Sequence, residues 1–243
     1  MNPKRIVIIG GGPGGYVAAI RAAQMGAKPI LIEKDGIGGT CLNRGCIPTK
    51  ALLHDAKLLR SLRRSPVFQT LSLDASGLLE SMMERKKKVV EELVKGVEIL
   101  LESHRVTVKK GRADLLSPNQ VILLDGEDGK EIFEADAIIL APGSKSKSIP
   151  SITPDGNQII TSDEALEMAK IPRDLVIVGG GYIGVEFATL FNTLGSRVTI
   201  VEILENILPG LEGELARNLR RFMERDGIRI LTQSSVEEIQ YGE

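Results

Sequence analysis

The 243-residue sequence predicts an α/β fold of two successive three-layer units built on parallel sheets. Three observations predict it. One segment occurs twice: Arg5 to Glu33 reads RIVIIGGGPGGYVAAIRAAQMGAKPILIE, and Asp174 to Glu202 reads DLVIVGGGYIGVEFATLFNTLGSRVTIVE. Gly10, Gly12, Gly15, Gly26 and Glu33 reappear as Gly179, Gly181, Gly184, Gly195 and Glu202, each 169 positions later. Each copy also has the order of a βαβ unit: a β-branched apolar run, a glycine turn, an amphipathic small-residue stretch, a Gly stop and a second apolar run.

In each copy the closing Glu follows the first glycine by 23 residues, near the spacing of roughly 20 that a Rossmann-like dinucleotide fold requires. The first glycine permits a tight turn, the second lets the backbone approach a pyrophosphate, and the third lets helix and strand pack closely. The helix N-terminus then offers amide donors and a positive dipole end to the phosphates. Glu33 and Glu202 are the expected acceptors for ribose hydroxyls, and an acid at Glu202 repels a 2′-phosphate, which favours NAD over NADP. The bland alternative for either copy is a βαβ unit whose glycines serve packing alone. Two sites on one chain imply two nucleotides, one a bound carrier and the other exchangeable.

Between the copies, Ala51 to about Arg64 and Met82 to about His104 read as helices, the second with Val89, Leu93, Val97 and Leu100 at helical spacing. Arg85, Lys86, Lys87 and Lys88 read as that helix's solvated face. Arg105–Lys109, Gln120–Leu124 and Glu131–Phe133 are expected to form a small meander, with turns at Ser117-Pro118-Asn119 and Asp125-Gly126. Ala137–Leu140 is a short buried-type strand, and Ser144–Pro154 is the linker candidate. After Glu202 a helix is expected near Glu212–Arg225 and a strand near Ile228–Leu231. The expected domains are 1–148, holding the helical pair 51–104 and the meander 105–135, and 149–243.

Composition narrows the function classes. Lys plus Arg count 31 against 32 Asp plus Glu, for a net charge of −1, and there are 5 Phe, 3 Tyr and no Trp. Neither a polyanion-binding surface nor a base-stacking platform is expected, so no nucleic-acid partner is expected. No apolar run approaches the roughly 18 residues that cross a bilayer, and a cytoplasmic chain without a membrane partner is expected.

The two cysteines, Cys41 and Cys46, are too few for a disulfide-stapled scaffold, and with His54 and His104 they have the wrong spacing for zinc. No metal site is expected. If the thiols pair, closing so short a loop stabilises by only about 2 kcal/mol before strain is subtracted. Chemistry is therefore the better reason for the pair. On a regular helix the two would stand about 140° apart, so pairing needs a distorted turn, which Gly45 could supply. Beside a helix N-terminus and Arg44, a cysteine is drawn toward the thiolate that exchanges disulfides.

The run TCLNRGCIPTKALL, with Gly10–Gly15 before it and Gly179 to Glu186 after it, resembles the pyridine nucleotide-disulfide oxidoreductases, and within them the dihydrolipoamide dehydrogenases. The resemblance covers essentially all of this chain but only the N-terminal part of the family's pattern. It implies that the first copy holds FAD, through Gly10, Gly12, Pro13, Gly14, Gly15, Glu33 and Lys34, with Gly39, Thr40, Lys50 and Gly143. It implies that the second holds NAD, through Gly179, Gly181, Tyr182, Ile183, Gly184 and Glu202. Cys41 is then the interchange thiol and Cys46 the charge-transfer thiol. Lys50 lies by the flavin with Glu186 as its acid, and Tyr182 gates the nicotinamide pocket, where a core tyrosine is the alternative reading.

The implied reaction is dihydrolipoamide plus NAD giving lipoamide plus NADH. The implied partners are the lipoyl group of a 2-oxoacid dehydrogenase or glycine cleavage complex, and a homodimer mate or completing chain. The sequence departs from the family at Pro142, where a threonine is usual, and at Arg44, where a small apolar residue is usual. It also ends before the family's second FAD segment and its interface domain, so both units are expected to be incomplete at the C-terminal side, and the sheet that should continue beyond Ala141 is expected to expose an apolar edge or be completed by another chain. His54 and His104 do not fit the family's catalytic base. The rival expectations are a truncated nucleotide-binding or electron-relay subunit that needs a partner, and a remnant that folds without cofactor.

Overall fold

A computed structural model describes residues 2–68, 75–126, 129–147, 149 and 152–240. The fold is α/β with parallel sheets, and the chain divides into two compact units. One comprises Met1–Pro48 and Lys87–Lys145, the other Thr49–Lys86 and Ser146–Glu243.

The first unit is a parallel sheet in the order β3-β2-β1-β7, made of β1 (Arg5–Ile9), β2 (Lys28–Glu33), β3 (Thr107–Lys110) and β7 (Ala137–Leu140). Helix α1 (Pro13–Gln24) makes the crossover from β1 to β2. Because strand side chains alternate, Val7 and Ile8 leave β1 on opposite faces, as Leu31 and Ile32 leave β2, and all four are buried. On one face Ile8 and Leu31 pack with Ala19 of α1 and with Val97 and Leu101 of the long helix α4 (Ala75–Ser103). On the other, Val7 and Ile32 meet Val121, Leu123 and Phe133 of an antiparallel sheet. That sheet is β4 (Ala113–Ser117), β5 (Gln120–Gly126) and β6 (Gly129–Glu134). Three layers result. β7 is an edge strand, and its Leu140 is exposed.

The second unit has the order β10-β9-β8, from β8 (Asp174–Val178), β9 (Arg197–Val201) and β10 (Arg229–Leu231), all parallel. Helices α6 (Tyr182–Leu194) and α7 (Gly213–Arg225) make the crossovers. Its core joins Val198, Ile200 and Ile230 to Phe187, Ala188, Phe191 and Met223. Leu52, Ala56 and Leu59, at i, i+4 and i+7 of α3 (Cys46–Arg64), complete it with Leu79 and Met82 of α4. Short α5 (Ser162–Ala165) is held by a capping box between Thr161 and Glu164.

Several sequence expectations are corrected. The strand expected at Arg105–Lys109 is β3, and it joins the parallel sheet beside β2; the third meander strand is Ala113–Ser117. Gly111, at φ +143°, separates the two strands. The buried stripe of α4 near its C-terminal end runs through Val94, Val97 and Leu101, while Leu93 and Leu100 are exposed. The Arg85–Lys88 run is not a uniformly solvated face. Lys86 continues the Leu79–Met82 stripe and is 5% exposed, donating to Leu166 O and Glu167 Oε1, both at 2.7 Å. Arg85 bonds Asp55 and Ala51 O. α4 starts at Ala75 and α3 at Cys46, both earlier than expected. The turn expected at Asp125-Gly126 falls on the last two residues of β5; residues 127 and 128 that follow lie outside the described residues, as do 148, 150 and 151 of the linker.

Candidate active site

The two glycine loops have the same local geometry. Gly10 and Gly179 take φ of +106° and +109°, which only glycine adopts without strain, and their N–H groups donate to Ile32 O and Val201 O, both at 2.8 Å. A Cβ on Gly15 or Gly184 would overlap the carbonyl of Gly10 or Gly179, so the third glycine of each loop is demanded by helix–strand approach. The middle of each loop is fixed by the acid at the end of the following strand. Glu33 accepts from Gly11 N–H at 2.5 Å and Asp35 N–H at 2.8 Å, and Glu202 accepts from Gly180 N–H at 2.6 Å and Leu204 N–H at 2.8 Å.

Gly12 and Gly181 are different. Each is the N-cap of its helix, at ordinary φ of −75° and −73°, and no side chain caps either helix. A Cβ on Gly12 would come only within ordinary contact of Gly39, and one on Gly181 would meet nothing within 4 Å. Nothing in the protein requires glycine at these two positions. They leave room over a helix N-terminus, which is the chemistry a pyrophosphate needs. Pro13 supplies the first residue of α1, where its missing N–H costs nothing. Both dinucleotide assignments therefore fit the residues present.

Tyr182 and Ile183 are exposed, which excludes the reading of Tyr182 as a core residue. Pro13, Gly14, Lys34 and Thr40 are exposed, and Gly143 takes φ +78° just after Pro142. His54 is exposed on α3, and His104 is occupied by Leu100 O and Gln24.

Both cysteines belong to the first glycine loop's own unit and flank the break between two helices. α2 (Gly39–Arg44) is capped by Gly38 in the left-handed region, whose N–H donates to Gly11 O at 2.9 Å. A Cβ on Gly39 would lie 2.6 Å from Gly12 Cα, so the helix bearing Cys41 begins pressed against the loop. Asn43 clamps that entry by donating to Ile37 O at 3.1 Å and Gly39 O at 3.0 Å. Gly45, at φ −146° and ψ −110°, stops α2, and α3 starts at Cys46. Cys41 is partly buried against the core, and Cys46 is exposed. Arg44 reaches Asp35 at 3.5 Å. In the second unit, Lys50 donates to both oxygens of Glu186.

The chain thus places two cysteines beside the first of two matching glycine loops, and comparison with known proteins decides its family. The family model for pyridine nucleotide-disulphide oxidoreductases matches residues 4–243. The chain belongs to that family. Dihydrolipoyl dehydrogenase of Bacillus subtilis (strain 168) is 44% identical over 232 residues, 94% of this chain and 50% of the relative. Dihydrolipoyl dehydrogenase of Acholeplasma laidlawii is 42% identical over 239 residues, 96% of this chain and 70% of the relative. Among solved structures, LpdA of Mycobacterium tuberculosis superposes with a TM-score of 0.86 at 28% identity, covering 97% of this chain and 52% of LpdA. The chain spans about half the length of most such relatives.

Among the described residues there is no cluster of metal-ligating side chains, and no helix is long and apolar enough to cross a membrane. Three features escaped the sequence reading: the Asn43 clamp, the backbone bond from Gly38, and the equivalent bond from Leu208 N–H to Gly180 O at 2.8 Å. The CLN run before Gly45 was the only available signal for the first. Leu208 offers none, because leucine does not advertise the left-handed conformation it adopts here.

Proposed function

We propose that this chain carries out dithiol–disulfide oxidoreduction on a lipoyl group, with FAD in the first unit and NAD in the second. The observation that carries the reading is the start of the Cys41 helix against Gly11 and Gly12. FAD would be held by Gly10, Gly12, Pro13, Gly14, Gly15, Glu33 and Lys34, with Gly39, Thr40 and Gly143 near it. NAD would be held by Gly179, Gly181, Tyr182, Ile183, Gly184 and Glu202. When bound, the flavin supplies a two-electron relay between thiols and nicotinamide.

The chain's own residues account for the sulfur chemistry. A dihydrolipoyl thiolate attacks Cys41 Sγ, forming a mixed disulfide, and the Cys41–Cys46 bond breaks with its electron pair leaving on Cys46. The second substrate thiolate then attacks its own linked sulfur, closing the lipoyl disulfide and releasing Cys41 as a thiolate. The substrate dithiol loses two electrons and two protons; the cysteine pair takes up the electrons as two thiolates, and the protons released when the substrate thiols ionise pass to solvent. Lys50, anchored by Glu186, provides a fixed cation.

The decisive experiment supplies NADH and lipoamide at saturating FAD and follows NADH oxidation. Turnover that is lost in Cys41→Ser and Cys46→Ser supports the reading. A folded, flavin-loaded sample in which NADH reduces neither flavin nor disulfide defeats it. The exposed edge of β7, with Leu140 open to solvent, favours a second reading in which a partner chain must be added before turnover is seen.

A further inference from the structure

The two repeats remain equivalent beyond the residues that carry the nucleotide fingerprint. In the first, Gly38 N–H donates to Gly11 O at 2.9 Å; in the second, Leu208 N–H donates to Gly180 O at 2.8 Å. Ile37 and Ile207, the residues just before, are both buried. The same backbone bond thus closes each loop from outside, one position later in the second copy.

The residues that make this bond differ in kind. Gly38 takes φ +100° without penalty and is secured by the start of α2 and the Asn43 clamp. Leu208 takes φ +54°, one of three non-glycine residues with positive φ among those described. A leucine there is strained and persists only where its surroundings over-determine it. Leu208 is 4% exposed, within the same core as Ile207, Ile200 and Phe191. Ile207 also presses on the loop itself: a Cβ on Gly180 would lie 2.8 Å from Ile207 Cγ2.

We infer that Leu208 is a positioning residue for the nucleotide of the second unit. Its buried side chain holds its strained backbone N–H on Gly180 O and thereby fixes the middle of the Gly179–Gly181 loop. This rests on the nucleotide assignment proposed above. Packing energy in the core is spent on keeping the loop in the shape that receives a pyrophosphate, so that binding has less to order. Leu208 acts through Gly180 and needs no contact with the ligand.

The test titrates NADH into the full chain loaded with FAD, following nicotinamide fluorescence, for wild type, Leu208→Ala, Leu208→Gly and Leu208→Met. The expected result is an NADH dissociation constant raised about fivefold or more in Leu208→Ala and Leu208→Gly, and within about twofold of wild type in Leu208→Met, which keeps the volume. FAD affinity and thiol titre stay unchanged. Wild-type NADH affinity in Leu208→Ala and Leu208→Gly, with only a lowered Tm, overturns the inference and leaves a plain core residue. Should neither variant fold, Ile207→Val is expected to weaken NADH by about twofold, and an unchanged constant overturns the inference. If wild type itself binds no NADH, the nucleotide assignment falls and this inference with it; unaffected variants beside a binding wild type remove the inference alone.

Discussion

Glu186 accepts from Lys50 on both of its carboxylate oxygens, at 2.7 and 2.9 Å, although the two residues are 136 positions apart in sequence. The lysine belongs to α3 and the glutamate to α6, and half of the lysine side chain is open to solvent. An ion pair this exposed contributes only about 0.2–1 kcal/mol to stability, so its two-point geometry is better understood as holding a cation in place. Glu186→Gln is expected to shift Tm by no more than about 3 °C while lowering NADH–lipoamide turnover about tenfold. Lys50→Met should do the same, and the double variant should lose no more than either single, because the two act as one device. Additive losses in kcat would show that the pair is not a unit.

Glycines of the same loop should fail in opposite ways. Ala at Gly15 or Gly184 places a methyl on a backbone carbonyl that cannot retreat, and the expected loss exceeds about 3 kcal/mol of folding stability. Ala at Gly12 or Gly181 meets nothing closer than ordinary contact and keeps an allowed φ. These variants should melt near wild type yet bind FAD or NADH at least about tenfold more weakly, because the methyl occupies the phosphate's room. Calorimetry beside ligand titration separates the two classes. A Gly181→Ala variant with full NADH affinity would remove the ligand-based reason for glycine there.

Much of this was legible in the sequence, for a definite reason. Tight glycine turns between strand and helix constrain backbone at fixed spacing, so Gly10, Gly15 and Glu33 print a pattern, and a second copy 169 positions later makes it unmistakable. Helical faces were harder. Val89, Leu93, Val97 and Leu100 satisfy helical spacing, but so do Val94, Val97 and Leu101, and only the neighbouring sheet decides which stripe is buried. Strand partnership was harder still. Nothing local to residues 105–110 tells whether they extend a parallel sheet or begin a meander, since the choice depends on the open edge of β2. Lys86 was hidden by its neighbours: three more cations in a row read as a solvated face, while its phase relative to Leu79 and Met82 points inward.

That phase makes Lys86 a stability prediction. Its ammonium is buried, while the side chain of its partner Glu167 is 74% exposed. Replacing it by Met keeps the stem in the core and returns Glu167 to water, but it strips Leu166 O of a donor at the end of α5. A buried acceptor left unpaired costs about 1–3 kcal/mol, offset in part because an ammonium no longer has to be desolvated. Lys86→Met is therefore expected to lose about 1 kcal/mol, and Lys86→Ala about 2 or more through the added cavity, as read by urea unfolding. A Lys86→Met chain more stable than wild type would mean that desolvation outweighs the bond to Leu166 O.

The ends of the two equivalent strands carry opposite charges, and each is held in an arginine–carboxylate pair that pH can test. Asp174 opens β8 and meets Arg197 at the first rung of β9 through two contacts, Nε to Oδ1 at 2.5 Å and Nη2 to Oδ2 at 2.6 Å. In the first unit the matching position is Arg5, which turns instead to Glu134 and Asp136. The hydrogen bonds from Arg197 hold the Asp174 carboxyl below its ordinary 3.8, and the Arg5 backbone N–H does the same for Asp136. For a carboxyl whose pKa is depressed on folding, the unfolded state binds the proton more readily. The stabilisation is present above the unfolded value of about 4 and is lost as pH falls through the lower folded value. Asp174→Asn and Asp136→Asn should thus lower Tm slightly and evenly above about pH 5, with the gap from wild type closing as pH drops below about 4. Both groups are open to solvent, so added salt should shrink the same gap. A gap that widens on acidification would mean that these carboxyls stabilise the fold in their protonated form, contrary to the geometry of both pairs.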